Sequence, residues 1–355
     1  MAYASITKPS LHFNNKIYAG TGSSNSITGV GFQPDFTWIK SRDNGSNNNH
    51  MLFDAIRGAT KYLKSDANSA ENTLAETLKT FDSDGFTVGT QGDVNQNNIN
   101  FASWNWKASG STASNSNGSI NSTVSVNTTA GFSIVSWTGN GNTSTIGHGL
   151  GVTPSVIILK NRSIVEDWPV YHKDLTVNNA PAQNVYLHLN NNNAGADYPV
   201  WNDTAPTSSV FSVGGYDAMN GNGNSIIAYC FAEKKGYSKF GKYTSNNTAN
   251  DGPFIYTGFK PAFVLTKITS TGGANWRIFD NKRDGFNGAT QYLQPNTADD
   301  ESNTSPAQMD LLSNGFKLRG AEGDSNYNTE TLIYMAFAEE PLVANVGNGV
   351  PATAR

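Results

Sequence analysis

The sequence predicts an all-β protein built as three tandem β-sandwich-like repeats of about 100 residues each. Three observations lead there. One pattern (Gly, two residues, Pro, a β-rich run, then Lys six residues after the Pro) occurs at 31–40, 151–160 and 258–267. Four further landmarks follow each Pro in the same order. Charged residues make up only 15% of the chain, against roughly 25% in an average globular protein. Asn, Ser, Thr and Gly take their place, and these favour turns and exposed strands over helix.

The elements follow in order. After each Pro comes a strand in which Phe36 and Trp38, Val156 and Ile158, or Phe263 and Leu265 share a face by period-two alternation. An aromatic residue with Asp or His is next, at Phe53-Asp54, Tyr171-His172 and Phe279-Asp280. Tyr-Leu pairs follow at 62–63, 186–187 and 292–293, then a strand through Phe86, Phe211 or Phe316. Each unit closes on an alternation: Trp104-Asn105-Trp106, Tyr229-Cys230-Phe231 and Met335-Ala336-Phe337. The distance from Pro to the last aromatic residue is 106−34 = 72, 231−154 = 77 and 337−261 = 76. The units are therefore 1–107, 131–237 and 238–341, with 108–130 as a Ser/Asn/Gly-rich linker and 342–355 as a tail. One helix is predicted, over Ser69–Lys79, from Leu74 and Leu78 four apart and Ser69 as N-cap.

A net charge of −4 with no basic stripe argues against nucleic acid as a partner. The one cysteine, Cys230, allows no intrachain disulfide and fits folding in a reducing cytoplasm. Met1 to Phe13 lacks the features of a signal peptide, and no run of roughly 20 apolar residues predicts membrane insertion.

Lys40, Lys160 and Lys267 share the parity of the core-facing residues on their strands. An inward charge needs a partner, and the recurring Asp54 and Asp280 are the expected ones, with snorkelling from the strand end as the alternative. Trp168 and Trp276 are equivalent, and His50 stands in their place in the first unit. Exposed Trp on a β-sandwich stacks on sugar rings, whereas most Trp is packing. Trp201, in a polar stretch with no counterpart elsewhere, is the better binding candidate. A neutral, Asn-rich surface suits glycans, with weak dependence of binding on salt.

No cofactor or metal is expected. His148, His172 and His188 share the middle unit without the spacing of a zinc site. Asp82-Ser83-Asp84-Gly85 lacks the later ligands of a calcium loop and reads as a turn. Asp299-Asp300-Glu301 reads as a solvated loop. Catalysis has little support: there is no nucleophile elbow or phosphate-cradling loop, and Cys230 lies mid-strand. A glycosidase needs only two carboxylates, and no pair stands out.

The run from Lys8 to Asn14, the segment 29–35, Asp84-Gly85-Phe86-Thr87-Val88-Gly89 and Trp104-Asn105-Trp106-Lys107-Ala108 resemble a module of marine tailed-phage structural proteins. So do 130–135, 147–154 and 251–261, and the resemblance spans residues 8 to about 341. That family is a domain of unknown function in tail fibre-like virion proteins. Asn105 departs from it, standing where Cys is expected. The resemblance implies a virion component made in the host cytoplasm and assembled onto the particle. The expected protein is exposed there and tail-associated, a homo-oligomer among other virion proteins that binds host surface glycan. The alternatives are a capsid decoration protein and a polysaccharide depolymerase.

Overall fold

Strand formation follows from alternating apolar residues punctuated by Gly, Asn and Pro, and in the computed structural model nearly every regular element is a strand. The structure describes residues 4–43, 45, 48–303, 308–321 and 323–343, so the expected tail from residue 344 onward lies outside the described residues. In the first unit one antiparallel sheet runs in the order Phe13–Ala19, Asn100–Trp106, Phe36–Ser41, Met51–Asp54, Lys61–Lys64, Asn72–Thr73. A smaller sheet, Asn25–Thr28, Gly85–Val88, Leu78–Asp82, covers one of its faces. The order recurs in the second unit as Phe132–Thr138, Ser225–Phe231, Val156–Asn161, Pro169–His172, Val185–His188. In the third unit it is Ser238–Thr244, Thr331–Pro341, Phe259–Ile268, Arg277–Asp280. Phe86, Phe211 and Phe316 are buried under the three small sheets.

The central strands are buried on both faces, which is why Phe36–Ser41 and Val156–Asn161 show no alternation in exposure. One face packs on the unit's own small sheet. The other, carrying Phe36, Trp106, Phe132, Phe231, Phe263 and Phe337, joins a core shared by all three units. Trp106 lies 6.2 Å from Phe231, 5.7 Å from Phe263 and 5.6 Å from Phe337, ring centre to ring centre. The three sandwiches thus close around one aromatic centre.

The boundaries between units repeat. Glu71 N–H donates to Arg162 O at 2.8 Å, Glu301 N–H to Arg42 O at 3.0 Å, and Gly195 N–H to Thr269 O at 2.9 Å. Arg42, Arg162 and Thr269 each stand two residues after the repeated lysine. Unit 1 therefore receives a loop from unit 3, unit 2 from unit 1, and unit 3 from unit 2: a closed ring. At two boundaries a buried ion pair is capped from the neighbouring unit. Asp54 pairs with Arg57 and accepts from Tyr229 Oη at 2.8 Å, while Asp280 pairs with Arg283 and accepts from Trp104 Nε1 at 3.1 Å.

At the third boundary His172 replaces the carboxylate, Leu175 the arginine and Met335 the capping donor. His172 Nε2 donates to Tyr334 O at 3.1 Å and Nδ1 accepts from Asp174 N–H at 3.2 Å, the pattern of a neutral ring. Burial pulls its pKa down to about 4. The folded state then binds fewer protons than the unfolded one, so its contribution is complete above pH ~6.5 and is lost as pH falls toward 4, about 3 kcal/mol in all. The melting temperature should therefore fall with acid more steeply for the parent than for His172→Gln. Equal slopes would remove His172 as a source of acid lability.

Four expectations change. No helix spans 69–79: Leu78 pairs with Val88 across the Asp82–Gly85 hairpin, and Leu74 lies in a turn, half exposed. Tertiary strand pairing overrides a marginal helical spacing. Residues 108–130 are not a linker, because Ser122–Asn127 pairs with Phe132–Thr138 and Ala113–Asn115 pairs with it in turn, with Val124 buried in the second unit's core. The buried lysines do not meet Asp54 or Asp280, which are taken by the arginines three residues on. Lys160 Nζ instead donates to the carbonyls of Glu166 (2.7 Å), Asn161 (2.8 Å) and Asn68 (3.2 Å), Lys267 to Ile268 O (2.8 Å) and Lys40 to Ala298 O (3.1 Å). Burial lowers all three pKa values, Lys160 and Lys267 to about 8. Finally, Glu301 is not in a solvated loop: it is largely buried and pairs with Arg42 and Arg283.

Candidate functional site

Trp201, Trp168 and Trp276, the residues expected to present faces to a sugar, are 1%, 0% and 3% exposed and carry no binding surface. Trp168 Nε1 donates across a unit boundary to Lys64 O at 2.9 Å, and Trp276 Nε1 does so to His188 O at 2.9 Å. They are wedges between units. Trp201 packs edge-on against Tyr171, because Asn202 and Asp203 adopt positive φ and fold the polar loop back over the second core. Polar neighbours marked the loop, not the tryptophan, as exposed. Trp201→Ala is accordingly expected to lower stability by about 3–5 kcal/mol, measured by denaturant unfolding; a fully stable variant would contradict this packing role.

The remaining candidates are likewise structural. Cys230 is buried, and burial pushes its thiol pKa up, away from the thiolate. Among the described residues, no group of three or more His, Cys, Asp or Glu could hold a metal. Asp84 accepts from the N–H groups of Gly29 and Gly31 at 2.9 and 2.6 Å, fastening a turn. Asn105, the departure from the resembled family, is buried and donates to Asn14 O at 3.1 Å.

A surface site emerges where the third unit departs from the other two. The seam between large and small sheet is closed in unit 1 by Val30, whose carbonyl accepts from Asn14 Nδ2 at 2.9 Å. In unit 2 it is closed by Leu150, with Ser133 Oγ donating to His148 O at 2.6 Å. Strand register places Lys239 of unit 3 where Asn14 and Ser133 stand, and Tyr256 where Thr28 and Gly147 stand. Only Thr257 separates Tyr256 from Gly258, whereas two residues, Gly29 and Val30, fill that stretch in unit 1 and three, His148 to Leu150, in unit 2. In unit 3 the residue ahead of the glycine is Thr257, buried like Val30 and Leu150 but smaller and polar, its Oγ1 donating to Phe259 O at 2.6 Å. A groove of about 570 Å³ remains, lined among others by Tyr256, Lys239, Lys235, Thr257 and Glu233.

The groove combines an aromatic plate with a cation. Tyr256 and Phe254, alternate residues of the strand Phe254–Tyr256, are 52% and 45% exposed, while Ile255 between them is buried. Lys239 Nζ stands 5.5 Å from the centre of the Tyr256 ring. Gly258, at φ +82°, lets the chain turn close beneath that ring: a Cβ there would meet it at 3.5 Å. Glu233 is occupied by Lys173 Nζ at 3.0 Å and Phe240 N–H at 2.8 Å. Sequence reading missed this site, although the signal was present: Phe254 and Tyr256 stand where the other units carry Ser26 and Thr28, or Thr145 and Gly147.

No curated protein and no solved structure matches the chain. A family model described as "Domain of unknown function (DUF7483)" matches residues 8–341, from the turn ahead of Phe13 to the end of the last strand, and the chain belongs to that family.

Proposed function

We propose that the chain is a structural protein of a phage virion, displayed on the particle, and that it binds host-surface glycan through the open seam of its third unit. The groove carries the binding half of this reading: a cleft of mixed apolar and polar lining with an outward aromatic ring suits a pyranose, whose apolar face stacks while its hydroxyls bond to the rim. The virion half is supported by the sequence resemblance across residues 8 to about 341. A scaffold of three sandwiches locked on one core would hold such a groove rigidly on a particle surface.

Tyr256→Ala is expected to weaken binding of purified protein to host cells and to isolated host surface polysaccharide by tenfold or more, about 1.4 kcal/mol. Its melting temperature should be unchanged, because the ring is half exposed. Antibody labelling of intact particles supplies the second measurement. Signal on the tail is expected; signal on the head with no cell binding would favour the decoration role; shortened polysaccharide chains would favour the depolymerase. Absence from the particle would sink the virion assignment.

A further inference from the structure

We infer that the groove of unit 3 selects an anionic sugar, carboxylated or sulfated, over a neutral one; this rests on the glycan reading above and narrows it. The observation is a change of charge at one position. Asn14 and Ser133 close their seams with neutral hydrogen bonds to a carbonyl, and Lys239 in the same register position holds its ammonium over the Tyr256 ring instead. A sugar that stacks on that ring takes the place of the Lys239 ammonium, now 5.5 Å over the ring centre, and an exocyclic carboxylate or sulfate at the edge of the stack gives the displaced, flexible ammonium a partner. The one carboxylate lining the groove, Glu233, pairs with Lys173 at 3.0 Å, an ammonium that also stands 3.9 Å from Asp174. Lys239 thus sets a cation at the groove although the chain as a whole carries −4. A charge-assisted contact at a solvent-open site adds roughly tenfold in affinity and weakens with salt. The weak salt dependence expected of the chain's neutral surface should not hold here.

The test uses the full chain and two matched pairs of polymers: polygalacturonate against its methyl ester, and dextran sulfate against dextran. Binding is measured by calorimetry at low and at high NaCl. The expected result is about tenfold tighter binding to the charged member of at least one pair, with the gap closing at high salt. Whichever pair shows the gap identifies carboxylate or sulfate as the ligand group. Lys239→Met should bring the charged polymer down to the level of the neutral one, and Lys239→Arg should keep the preference. Both lie on an accessible surface, and circular dichroism verifies folding. Equal binding to charged and neutral members overturns the anionic preference and leaves glycan binding standing. Binding to none of the four overturns the glycan reading itself. A preference that survives Lys239→Met removes Lys239 as its source.

Discussion

Asp54→Ala is expected to lower stability by about 3–5 kcal/mol, the cost of leaving a buried guanidinium without its carboxylate. Arg57 is fully buried, with one Nη donating to Leu52 O at 2.7 Å; only Glu71, 3.4 Å from its other Nη, would remain to offset the charge. Tyr229 would also lose the acceptor for its hydroxyl. The chain itself shows how the deficit can be repaired, because the boundary between units 2 and 3 fills the same positions with His172, Leu175 and Met335. The triple variant Asp54→His, Arg57→Leu, Tyr229→Met should therefore recover most of the loss, since replacing a buried ion pair by apolar groups of similar volume is near neutral. Denaturant midpoints of the two variants decide the matter. A triple variant as unstable as Asp54→Ala would mean that packing, not the stranded charge, sets the cost.

Trp106→Ala should cost a similar amount, about 3–5 kcal/mol, with a different distribution through the molecule. Trp106 touches rings from all three units, whereas Phe86 lies in the core of unit 1 alone. Native-state hydrogen exchange separates the two. Trp106→Ala should raise exchange in strands of every unit. Phe86→Ala, at comparable total cost, should raise it chiefly between residues 13 and 106. Identical exchange patterns for the two variants would show that the central core does not couple the units.

Much of the fold was legible in the sequence for local reasons. A strand announces itself through period-two alternation and a turn through Gly, Pro and Asn, so the strands after Pro34 and Pro154 and the buried Phe86, Phe211 and Phe316 followed from spacing alone. Errors arose where local pattern was weak. Leu74 and Leu78 mimic a helix only until Leu78 finds its partner Val88, and Ser122–Asn127 hides its alternation behind Ser and Thr, which pack on a sheet as readily as they loop.

The site was less legible because exposure is a property of the assembled molecule. Trp168, Trp201 and Trp276 have compositionally polar neighbours, yet each is buried by a segment distant in sequence or by a loop folding back. Phe254 and Tyr256 would pass for core residues of a strand until the register shows which face of the small sheet they occupy.

Side-chain period and turn chemistry within about a hundred residues suffice for the β class, the succession of strands along the chain and the Phe that each unit buries beneath its small sheet. What the second face of each large sheet meets depends on packing between distant segments. Its aromatic residues could have lain toward solvent, toward another chain or toward one another, and alternation is silent between these. The closing of three units around Trp106 settled that choice, buried Trp168 and Trp276 as wedges between units, and left the groove of unit 3 as the surface where Tyr256 and Lys239 stand together.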